Sequence, residues 1–358
     1  MDELVVDRGG DRWGRAPAGG DAPLGAPRRR RRRPLRDAPQ RDPSPGPHGQ
    51  DGELPMRIGA IVPQGWQGEY DGWDTLDAWR RTTEVALRAE RLGFESIWLF
   101  DHFHTIPRPK DEITFESFTS LAALAALTSR VRIGHIVICT AFRNPALTAK
   151  MISTMDAISG GRMELGIGAG WKRDEWVSYG YGFPETRERL ARLGDDLEVI
   201  TRMLAPGRST HATFEGRYSH VRDAISVPKP VQQPRVPIMV GGNGQNVTWR
   251  LAARFADELN VDGMLPEDVA TALPVIRSRC EEIGRDPSTL RVSVHVWREH
   301  LPAGAGRVDR LAAYQALGVD RVMTLERSAA TRDEALESLA ADAREAGLEL
   351  AEPVGSRA

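Results

Sequence analysis

The sequence contains little cysteine, little net charge and no long apolar run. Its 358 residues include two cysteines, Cys139 and Cys280, which lie far apart in apolar or helical contexts. We therefore expect buried free thiols in a reducing, cytoplasmic compartment rather than a disulfide framework. The formal net charge of -2 gives no electrostatic reason to expect nucleic acid or an acidic membrane as a partner. No apolar run approaches the roughly 20 residues of a transmembrane helix.

The first 55 residues also lack apolar periodicity, and they are rich in Pro, Gly, Asp and Arg. Such a segment buries too little surface to offset its ordering entropy, so we predict a disordered extension over residues 1–55. An apolar stretch of roughly 7–15 residues is missing after the arginines, which argues against a secretory signal. Met56 opens the first strand-like segment, MRIGAIVP. A translation start at Met56 is our favoured explanation of the extension.

Within this extension, Arg28–Arg33 is a run of six arginines, a pattern that suggests a nucleic-acid-binding patch. Acidic residues are interleaved around it, since the chain up to Glu53 has 11 arginines and 9 acidic residues, a net of +2. A nucleic-acid-binding protein is therefore the weaker alternative to an enzyme, and we expect no nucleic-acid partner. Binding that depends steeply on salt and is lost with residues 1–55 would favour that alternative.

From Met56 onward, short apolar runs alternate with segments of helical spacing. The runs, rich in β-branched residues, are RIGAIV, SIWLF, VRIGHIVI, MELGIG, PIMVGG, DELNV, RVSVHVW and RVMTLE. The clearest helical stripe places five apolar residues on one face, at steps of three and four: Leu190, Leu193, Leu197, Ile200 and Leu204. A second stripe runs from Ala78 to Leu92 and is stopped by Gly93.

Eight strands that alternate with helices imply parallel pairing through right-handed crossovers. Eight is also the number that closes a (β/α)8 barrel. We therefore predict an α/β barrel over residues 56–330, followed by a C-terminal helix and tail over residues 331–358. Periodicity does not show closure, so an open doubly wound sheet is the alternative.

In a barrel, the chemistry lies on the loops that follow the carboxyl ends of the strands. The second strand runs into DHFH, and the third ends in HIVICTAFRNP. The fourth strand ends in GIGAGW and the fifth in VGGNGQN. These four polar or glycine-rich loops belong to one rim, and we expect them to converge on one pocket.

Two of these loops are rich in glycine. Gly166–Gly170 reads GxGxG, which lacks the GxGxxG spacing of a dinucleotide fingerprint. A tight turn and the close approach of a planar ligand or phosphate are both open interpretations of that loop. Gly241–Gly244 reads GGNG and lies between a strand and a helix expected to begin near Gln245. Its amides and the helix dipole suit a phosphate, with a simple βα turn as the alternative.

The DHFH loop contains two histidines, His102 and His104. Metal ligation is the weaker interpretation, because alternate residues of an extended segment point to opposite sides. No Cys, Asp or Glu cluster completes a recognisable metal set. A satisfied structural histidine is a second alternative. At a barrel strand end, near a phosphate-binding loop, Asp101 and His102 favour hydrogen bonding or proton transfer.

Four motifs together carry a resemblance to a known family: FDHFHT, RNPALTAKMISTMDAISGGRMELGIGAGW, YGYGFP and PIMVGGNG. In combination they resemble the luciferase-like monooxygenase superfamily, and most closely its coenzyme F420-dependent oxidoreductases. The similarity extends from Met56 to Glu326, and the motifs fall in order at the expected strand ends. The family folds as a TIM barrel with an insertion after strand four, which here includes Pro206–Pro237.

The resemblance also implies site residues. Asp101 and His102 lie at the deazaflavin or flavin ring, with His102 in contact with the ring and Asp101 orienting it. Further cofactor contacts are implied at the strand-three bulge, whose peptide bond is cis in many members, at the strand-four loop and at the phosphate loop: Ile136 and Val137; Gly168, Gly170 and Trp171; Gly241, Gly242 and Asn243. His104 then belongs to the lip of its loop.

Trp171 departs from part of the family. Sugar-phosphate dehydrogenases of the superfamily carry a glutamate just after the strand-four glycines, proposed as an acid. Here Trp171 occupies that position, with Asp174 and Glu175 further on. Activity on a sugar phosphate is therefore in doubt, since a tryptophan makes an apolar wall suited to a flatter substrate. Packing beneath the insertion is the alternative role of Trp171.

The resemblance predicts an F420-dependent oxidoreductase that transfers a hydride between coenzyme F420 and an unidentified small organic substrate. An FMN-dependent monooxygenase is the alternative within the superfamily, because both cofactors share a ring shape and a ribityl phosphate. Family members commonly form dimers through the helices after strands two and three. We therefore expect a homodimer that uses a helix from about Pro145 to Ile158.

Overall fold

The computed structural model describes residues 55–207 and 209–352. The predicted extension apart from Pro55, the arginine run within it and the end of the C-terminal tail lie outside these residues. The described strands are β1 (Arg57–Ile61), β2 (Ser96–Leu99), β3 (Arg132–His135), β4 (Ile138–Cys139), β5 (Met163–Gly168), β6 (His211–Glu215), β7 (His220–Ile225), β8 (Ile238–Gly241), β9 (Glu258–Asp262), β10 (Arg291–His295) and β11 (Arg321–Leu325).

The described α-helices are α1 (Thr75–Leu92), α2 (Ser117–Leu127), α3 (Pro145–Ser159), α4 (Arg173–Ser178), α5 (Thr186–Leu204), α6 (Thr248–Phe255), α7 (Pro266–Glu281), α8 (Ala305–Ala316) and α9 (Glu334–Glu345). Among these helices, none is long and apolar enough to cross a bilayer. The last helix, α9, is the one predicted after residue 330.

All strands except β6 and β7 form one parallel sheet that closes on itself. Its order is β3-β2-β1-β11-β10-β9-β8-β5-β4, and β3 also pairs with β5. The third predicted strand is divided into β3 and β4, which are separated by Ile136 and Val137. The Ile136–Val137 peptide bond is cis, as the resemblance implied. The eight-stranded barrel is therefore confirmed, and the open doubly wound sheet is wrong.

Local signals explain where the helices begin and end. At the start of α1, the Asp74 side chain accepts hydrogen bonds from two backbone N–H groups of the first turn. The helix ends at Gly93, whose φ of 97° is a left-handed conformation that favours glycine. In α5 the predicted stripe is buried from Leu193 to Leu204, while Leu190 at its start is half-buried.

The predicted insertion follows α5. It contains β6 and β7, which pair as an antiparallel hairpin outside the barrel. The hairpin is fixed to α5 at its turn, where the backbone N–H of Tyr218 donates to Asp195 over 2.6 Å and Ser219 donates to Asp196. Most hairpin side chains are exposed or half-buried. The insertion therefore extends the surface of the barrel without changing its interior.

Both cysteines are free and buried, as predicted. Burial raises the pKa of the Cys139 thiol in β4 and of the Cys280 thiol in α7. A raised pKa leaves less of the reactive thiolate at neutral pH. Both thiols are therefore packing groups.

Charged side chains fill the barrel interior at the amino-terminal ends of the strands. Arg321, at the start of β11, is fully buried there. It donates to the two carboxylate oxygens of Glu164 over 2.8 and 3.1 Å and to Glu95 over 3.1 Å, and Glu258 lies 3.6 Å away. Burial alone would raise the pKa of Glu164, but Arg321 and Arg132 outweigh it and hold that pKa well below its usual range. We call these five residues the ion-pair layer.

Replacing the central cation of this layer should destabilise the fold. We expect Arg321→Met to lower the free energy of unfolding by about 3–5 kcal/mol, because Glu164, Glu95 and Glu258 would stay buried without it. Urea denaturation at neutral pH, followed by circular dichroism, measures this change. Arg80→Met is the matched control, since Arg80 forms an exposed pair with Asp77. Equal losses in the two variants would contradict the central role of Arg321.

The same layer predicts a pH dependence of stability. Folding lowers the pKa of Glu164, so its contribution to stability is present at neutral pH. That contribution is lost as the pH falls through the folded pKa, because the folded state must then bind the proton. In Arg321→Met this acid-dependent loss should be smaller, which a series of urea denaturations at decreasing pH would measure.

Candidate active site

The opposite end of the barrel, where the strands end, is lined by another kind of side chain. The side chains at the carboxyl ends of the strands, or one residue beyond them, that follow the inward-facing alternation are Ile61, Phe100, Ile136, Gly168, Gly241, Asp262, His295 and Leu325. Trp66 and Trp297, from two of the loops above, pack against the same apolar cluster. We call the space enclosed by these residues and loops the mouth. This is the rim on which we predicted the candidate site residues from the sequence.

His102 lies in the mouth and is held by a carboxylate from helix α4. Its Nδ1 is 2.7 Å from Oε2 of Glu175, which is fully buried in α4. The other oxygen of Glu175 accepts the backbone N–H of Phe103 over 2.9 Å. The imidazole stacks on Trp66 with the ring centroids 4.1 Å apart and the planes 4° from parallel. This arrangement fixes the ring and directs Nε2 away from its carboxylate partner.

Asp101 does not orient His102, so that expectation is wrong. Both Asp101 oxygens are occupied by Arg143, at 2.8 and 2.9 Å. Ser117 and the backbone N–H of Cys139 also donate to them, over 2.8 and 3.0 Å. Burial would raise the pKa of Asp101, but Arg143 outweighs it and the pKa is lowered. Asp101 is therefore a buried anion that joins three chain segments beneath the mouth.

His104 is buried within its loop. Its Nδ1 lies 3.1 Å from the carbonyl oxygen of Thr105, and only 8% of the residue is exposed. The prediction placed His104 at the lip of the loop, where a side chain would be exposed, and this is wrong because the residue is buried. His104 and His102 nevertheless have different surroundings. Among the described residues, no three His, Cys, Asp or Glu side chains are grouped to hold a metal ion.

Val137 explains two of the glycines at the strand ends. A Cβ atom at Gly168 would lie 3.0 Å from the Val137 side chain, and one at Gly241 would lie 2.8 Å from it. Both contacts are tighter than ordinary van der Waals contact, so a side chain at either position would require Val137 to shift. The two glycines therefore leave room for the valine, and the three residues together form one wall of the mouth. Ile136 lies below them in the apolar interior.

Gly170 and Trp171 have different surroundings from each other. Gly170 has a φ of +76°, and a Cβ there would lie 2.4 Å from Sγ of Cys139 and 2.9 Å from the Trp176 ring. Packing thus accounts for this glycine. Trp171 is 62% exposed and meets His102 edge-on, with the ring centroids 5.9 Å apart. Packing beneath the insertion does not explain Trp171, which stands as a wall beside His102.

The GGNG loop presents open backbone amides. Gly242 has a φ of +131° and donates to the carbonyl of Asn260 over 2.9 Å. The amide groups of residues 243–246 have no acceptor in the part of the chain that the structure describes. The helix that follows, α6, begins at Thr248 and not near Gln245, because a turn intervenes. Amides before a helix N-terminus form an anion site, and this loop has that arrangement.

A second histidine of the mouth was missed by the sequence analysis. His295, at the end of β10, has Nδ1 2.8 Å from Oδ1 of Asp262, at the end of β9. Its ring contacts Phe100 and Trp297, with centroids 5.5 and 4.6 Å away. The strand RVSVHVW contained the signal, because Ser293 and His295 alternate with valines and so share the inward face.

The sequence model of the luciferase-like monooxygenase family matches residues 56–298, more than half of the chain. The chain belongs to the luciferase-like monooxygenase family. Two relatives of this family member are named F420-dependent glucose-6-phosphate dehydrogenase. The protein from Kineococcus radiotolerans is 34% identical over 60% of this chain and 63% of its own length. The one from Amycolatopsis mediterranei is 31% identical over 62% of this chain and 66% of its own length.

The chain thus spans less than two thirds of those two relatives. An uncharacterized protein of Mycobacterium tuberculosis is 30% identical over 67% of this chain and 84% of its own length. This relative, which the chain covers over more of its length, has no activity in its name.

Solved structures share the fold of this luciferase-like protein. An F420-dependent secondary alcohol dehydrogenase, in complex with an F420–acetone adduct, matches with a TM-score of 0.66 and 19% identity over 80% of this chain and 99% of its own. The coenzyme F420-dependent tetrahydromethanopterin reductase of Methanopyrus kandleri matches with a TM-score of 0.61 and 18% identity over 81% and 98%. A monooxygenase from Streptomyces bottropensis matches with a TM-score of 0.58 and 21% identity, over 79% of this chain and 99% of its own. At these identities the likeness concerns the barrel alone.

Proposed function

We propose that the protein is an F420-dependent oxidoreductase that transfers a hydride between coenzyme F420 and a small organic substrate. The observation that carries this proposal is a histidine with one nitrogen bound to a carboxylate, His102 with Glu175, on the same rim as an open-amide loop. The names of the relatives from Kineococcus and Amycolatopsis support the choice of cofactor. The same barrel occurs in solved F420-dependent enzymes.

The residues of the mouth fit a deazaflavin with a ribityl phosphate. The wall of Val137, Gly168 and Gly241 has no polar side chain, so a planar ring can lie against it. The unbonded amides of residues 243–246 precede α6, where the helix dipole favours a phosphate. Asn243 would contribute its backbone amide only, because its side chain is bonded to the backbone of Asp262 at both ends.

F420, when bound, supplies a ring carbon that accepts or donates a hydride. The protein's part is to position the reactants and to manage protons. Glu175 accepts the Nδ1–H of His102, and this tautomer leaves the Nε2 lone pair free in the neutral imidazole. Nε2 can then accept a proton, or donate one after protonation, at the ring or the substrate. Trp66 keeps the imidazole in one plane, which preserves that direction.

A sugar phosphate fits the mouth poorly. Trp171 stands beside His102, where sugar-phosphate dehydrogenases carry an acid, and two cations of the site, Lys172 and Arg143, are already paired. Lys172 donates to Asp174 over 2.6 Å, and Arg143 is held by Asp101. Aromatic side chains from several loops cover much of the remaining wall. We therefore propose a less polar substrate than glucose 6-phosphate.

Titration of the protein with each cofactor tests this function. We expect F420 to bind with at least tenfold higher affinity than FMN, seen as a saturable change in the absorbance of the added cofactor. Tighter binding of FMN would favour the alternative, an FMN-dependent monooxygenase. Failure of both cofactors to bind would remove the proposed function altogether.

We further propose that the protein forms a homodimer through α3 and the insertion. Five large apolar side chains on this side are 47–62% exposed: Leu147, Ile158, Ile225, Val227 and Val231. Hydrogen bonds join the two parts, from Lys150 in α3 to the Val227 carbonyl and from the Val231 backbone to Asp156. An apolar area spread over adjoining elements is typical of a protein interface.

Light scattering at micromolar concentration should give the mass of a dimer. Leu147→Glu should shift the mass toward that of a monomer, because it places a charge inside the proposed interface. Leu76→Glu is the matched control, since Leu76 is 72% exposed on α1, away from α3 and the insertion. A monomeric wild-type protein, or a dimer unaffected by Leu147→Glu, would contradict the proposed interface.

A further inference from the structure

The mouth contains a second histidine–carboxylate pair, formed by His295 and Asp262. Asp262 accepts the hydrogen bond at Nδ1 over 2.8 Å, which in the neutral imidazole leaves Nε2 as an acceptor. His295 is itself 4% exposed, so its position is set by the surrounding side chains. No described residue forms a hydrogen bond with its Nε2. The pair repeats the arrangement of His102 and Glu175 on a separate strand.

The two histidines lie on different parts of the same aromatic wall. His102 follows β2 and His295 ends β10, and these strands are separated in the barrel by β1 and β11. Phe100 lies between the imidazoles, with its centroid 6.5 Å from His102 and 5.5 Å from His295. Trp66 stacks on the first histidine and Trp297 contacts the second. Two imidazoles therefore border one apolar space.

Asp262 is tied to the loop proposed for the phosphate. Its backbone N–H donates to Oδ1 of Asn243 over 2.9 Å, and its carbonyl accepts from the amide nitrogen of that side chain over 2.8 Å. Asp262 is thus a positioning residue with a fixed backbone. Its hydrogen bond to Nδ1 favours one tautomer and one direction of the imidazole.

We propose that His295 is a second catalytic residue, which exchanges a proton with the oxygen of an uncharged alcohol or carbonyl substrate. This inference rests on the proposed function, because a hydride acceptor is required at the same site. His102 would then serve the cofactor side of the mouth and His295 the substrate side.

In the oxidising direction, the substrate loses a hydride from carbon and a proton from oxygen. The C–H bond breaks and its electron pair leaves as a hydride, which F420, when bound, would accept. The O–H bond breaks and its proton goes to Nε2 of His295, while a C=O bond forms. The alcohol thereby loses two electrons, which bound F420 would take up. The reverse direction returns the proton from Nε2 to the carbonyl oxygen.

The surroundings of His295 favour an uncharged substrate. Phe100, Trp297 and Trp66 supply apolar ring surfaces on this side of the mouth. The carboxylate of Asp262, beside the imidazole, would repel an anionic group brought to Nε2. A neutral hydroxyl or carbonyl group is not repelled by Asp262 and gains one hydrogen bond with Nε2.

The test uses the full chain with bound F420 and two probe pairs, cyclohexanol with cyclohexanone and benzyl alcohol with benzaldehyde. We expect His295→Gln to lower turnover of at least one probe pair by about 10²–10⁴-fold, the range of general acid–base catalysis. F420 affinity should stay within about twofold. Asp262→Asn should shift or abolish the pH dependence of turnover, a readout that loss of packing would not change. His300→Gln, a half-buried histidine on the same rim, is the matched control.

Nuclear magnetic resonance of the histidine side chains supplies a readout besides activity. In the F420-bound protein, the alcohol or ketone probe should shift the His295 signals and leave those of His300 unchanged. The proposal is overturned if F420 binds but no probe shifts His295, or if His295→Gln turns over the probes at the wild-type rate. If F420 itself does not bind, the proposed function fails first, and the two failures are thereby distinguished.

Discussion

Gly242→Asp should weaken F420 binding by about 100-fold or more, which corresponds to roughly 3 kcal/mol of binding free energy. The substitution places a carboxylate beside the open amides of residues 243–246, where a phosphate would bind. A carboxylate at this position would repel the negatively charged phosphate. Titration of F420 into the wild-type and variant proteins measures the change directly.

The control for this variant separates charge from backbone conformation. Gly242 has a φ of +131°, so any side chain at this position is strained. Gly242→Asn carries nearly the same shape and strain as Gly242→Asp but has no charge. We expect the asparagine variant to bind F420 more tightly than the aspartate variant. Equal affinities would assign the loss to strain, and wild-type affinity in a folded Gly242→Asp would remove this loop from the cofactor site.

His102→Ala should lower turnover by about 10²–10⁴-fold, if His102 exchanges a proton during the reaction. The fold should persist, because the side chain lies in the mouth and Glu175 keeps its hydrogen bond to the backbone of Phe103. F420 affinity should fall only modestly, since the phosphate loop is untouched. Turnover of the alcohol and carbonyl probes, compared at saturating F420, measures the effect.

His104→Ala is the matched comparison for this variant. His104 is buried in the same loop, but its side chain bonds to the Thr105 carbonyl, and only its backbone N–H reaches Glu175. We expect a smaller loss of turnover, accompanied by a lower melting temperature. Were the two variants to lose turnover equally, or were the order reversed, the assignment of function to His102 would be wrong.

The barrel could be predicted because its signals are local. Short β-branched runs and helical stripes can be recognised within windows of about ten to twenty residues. Helix α1 ends at Gly93, as the pattern predicted. The division of strand three was visible only through the resemblance, because Ile136 and Val137 are as apolar as a continuous strand. The start of α6 was misplaced, since a turn of 245–247 has no distinctive residue pattern.

The partners of the site residues could not be predicted, because they come from distant parts of the chain. Asp101 is next to His102 in sequence, and adjacency suggested a pair. In the structure Asp101 turns toward Arg143, while Glu175, 73 residues away, binds His102. A strand end sends consecutive side chains in opposite directions, so neighbours in sequence rarely share a pocket. Glu175 itself was visible only as an acid near the strand-four glycines.

The ion-pair layer at the amino-terminal end of the barrel has an evolutionary consequence. The charges that hold the strands together there, around Arg321, lie at the end of the barrel away from the mouth. Substitutions at Trp171 or Trp297 can therefore alter what enters the mouth without disturbing those charges. Variants that keep Arg321 and its carboxylates can therefore change substrate preference with little loss of folding stability. Directed evolution of substrate preference should target the rim residues first.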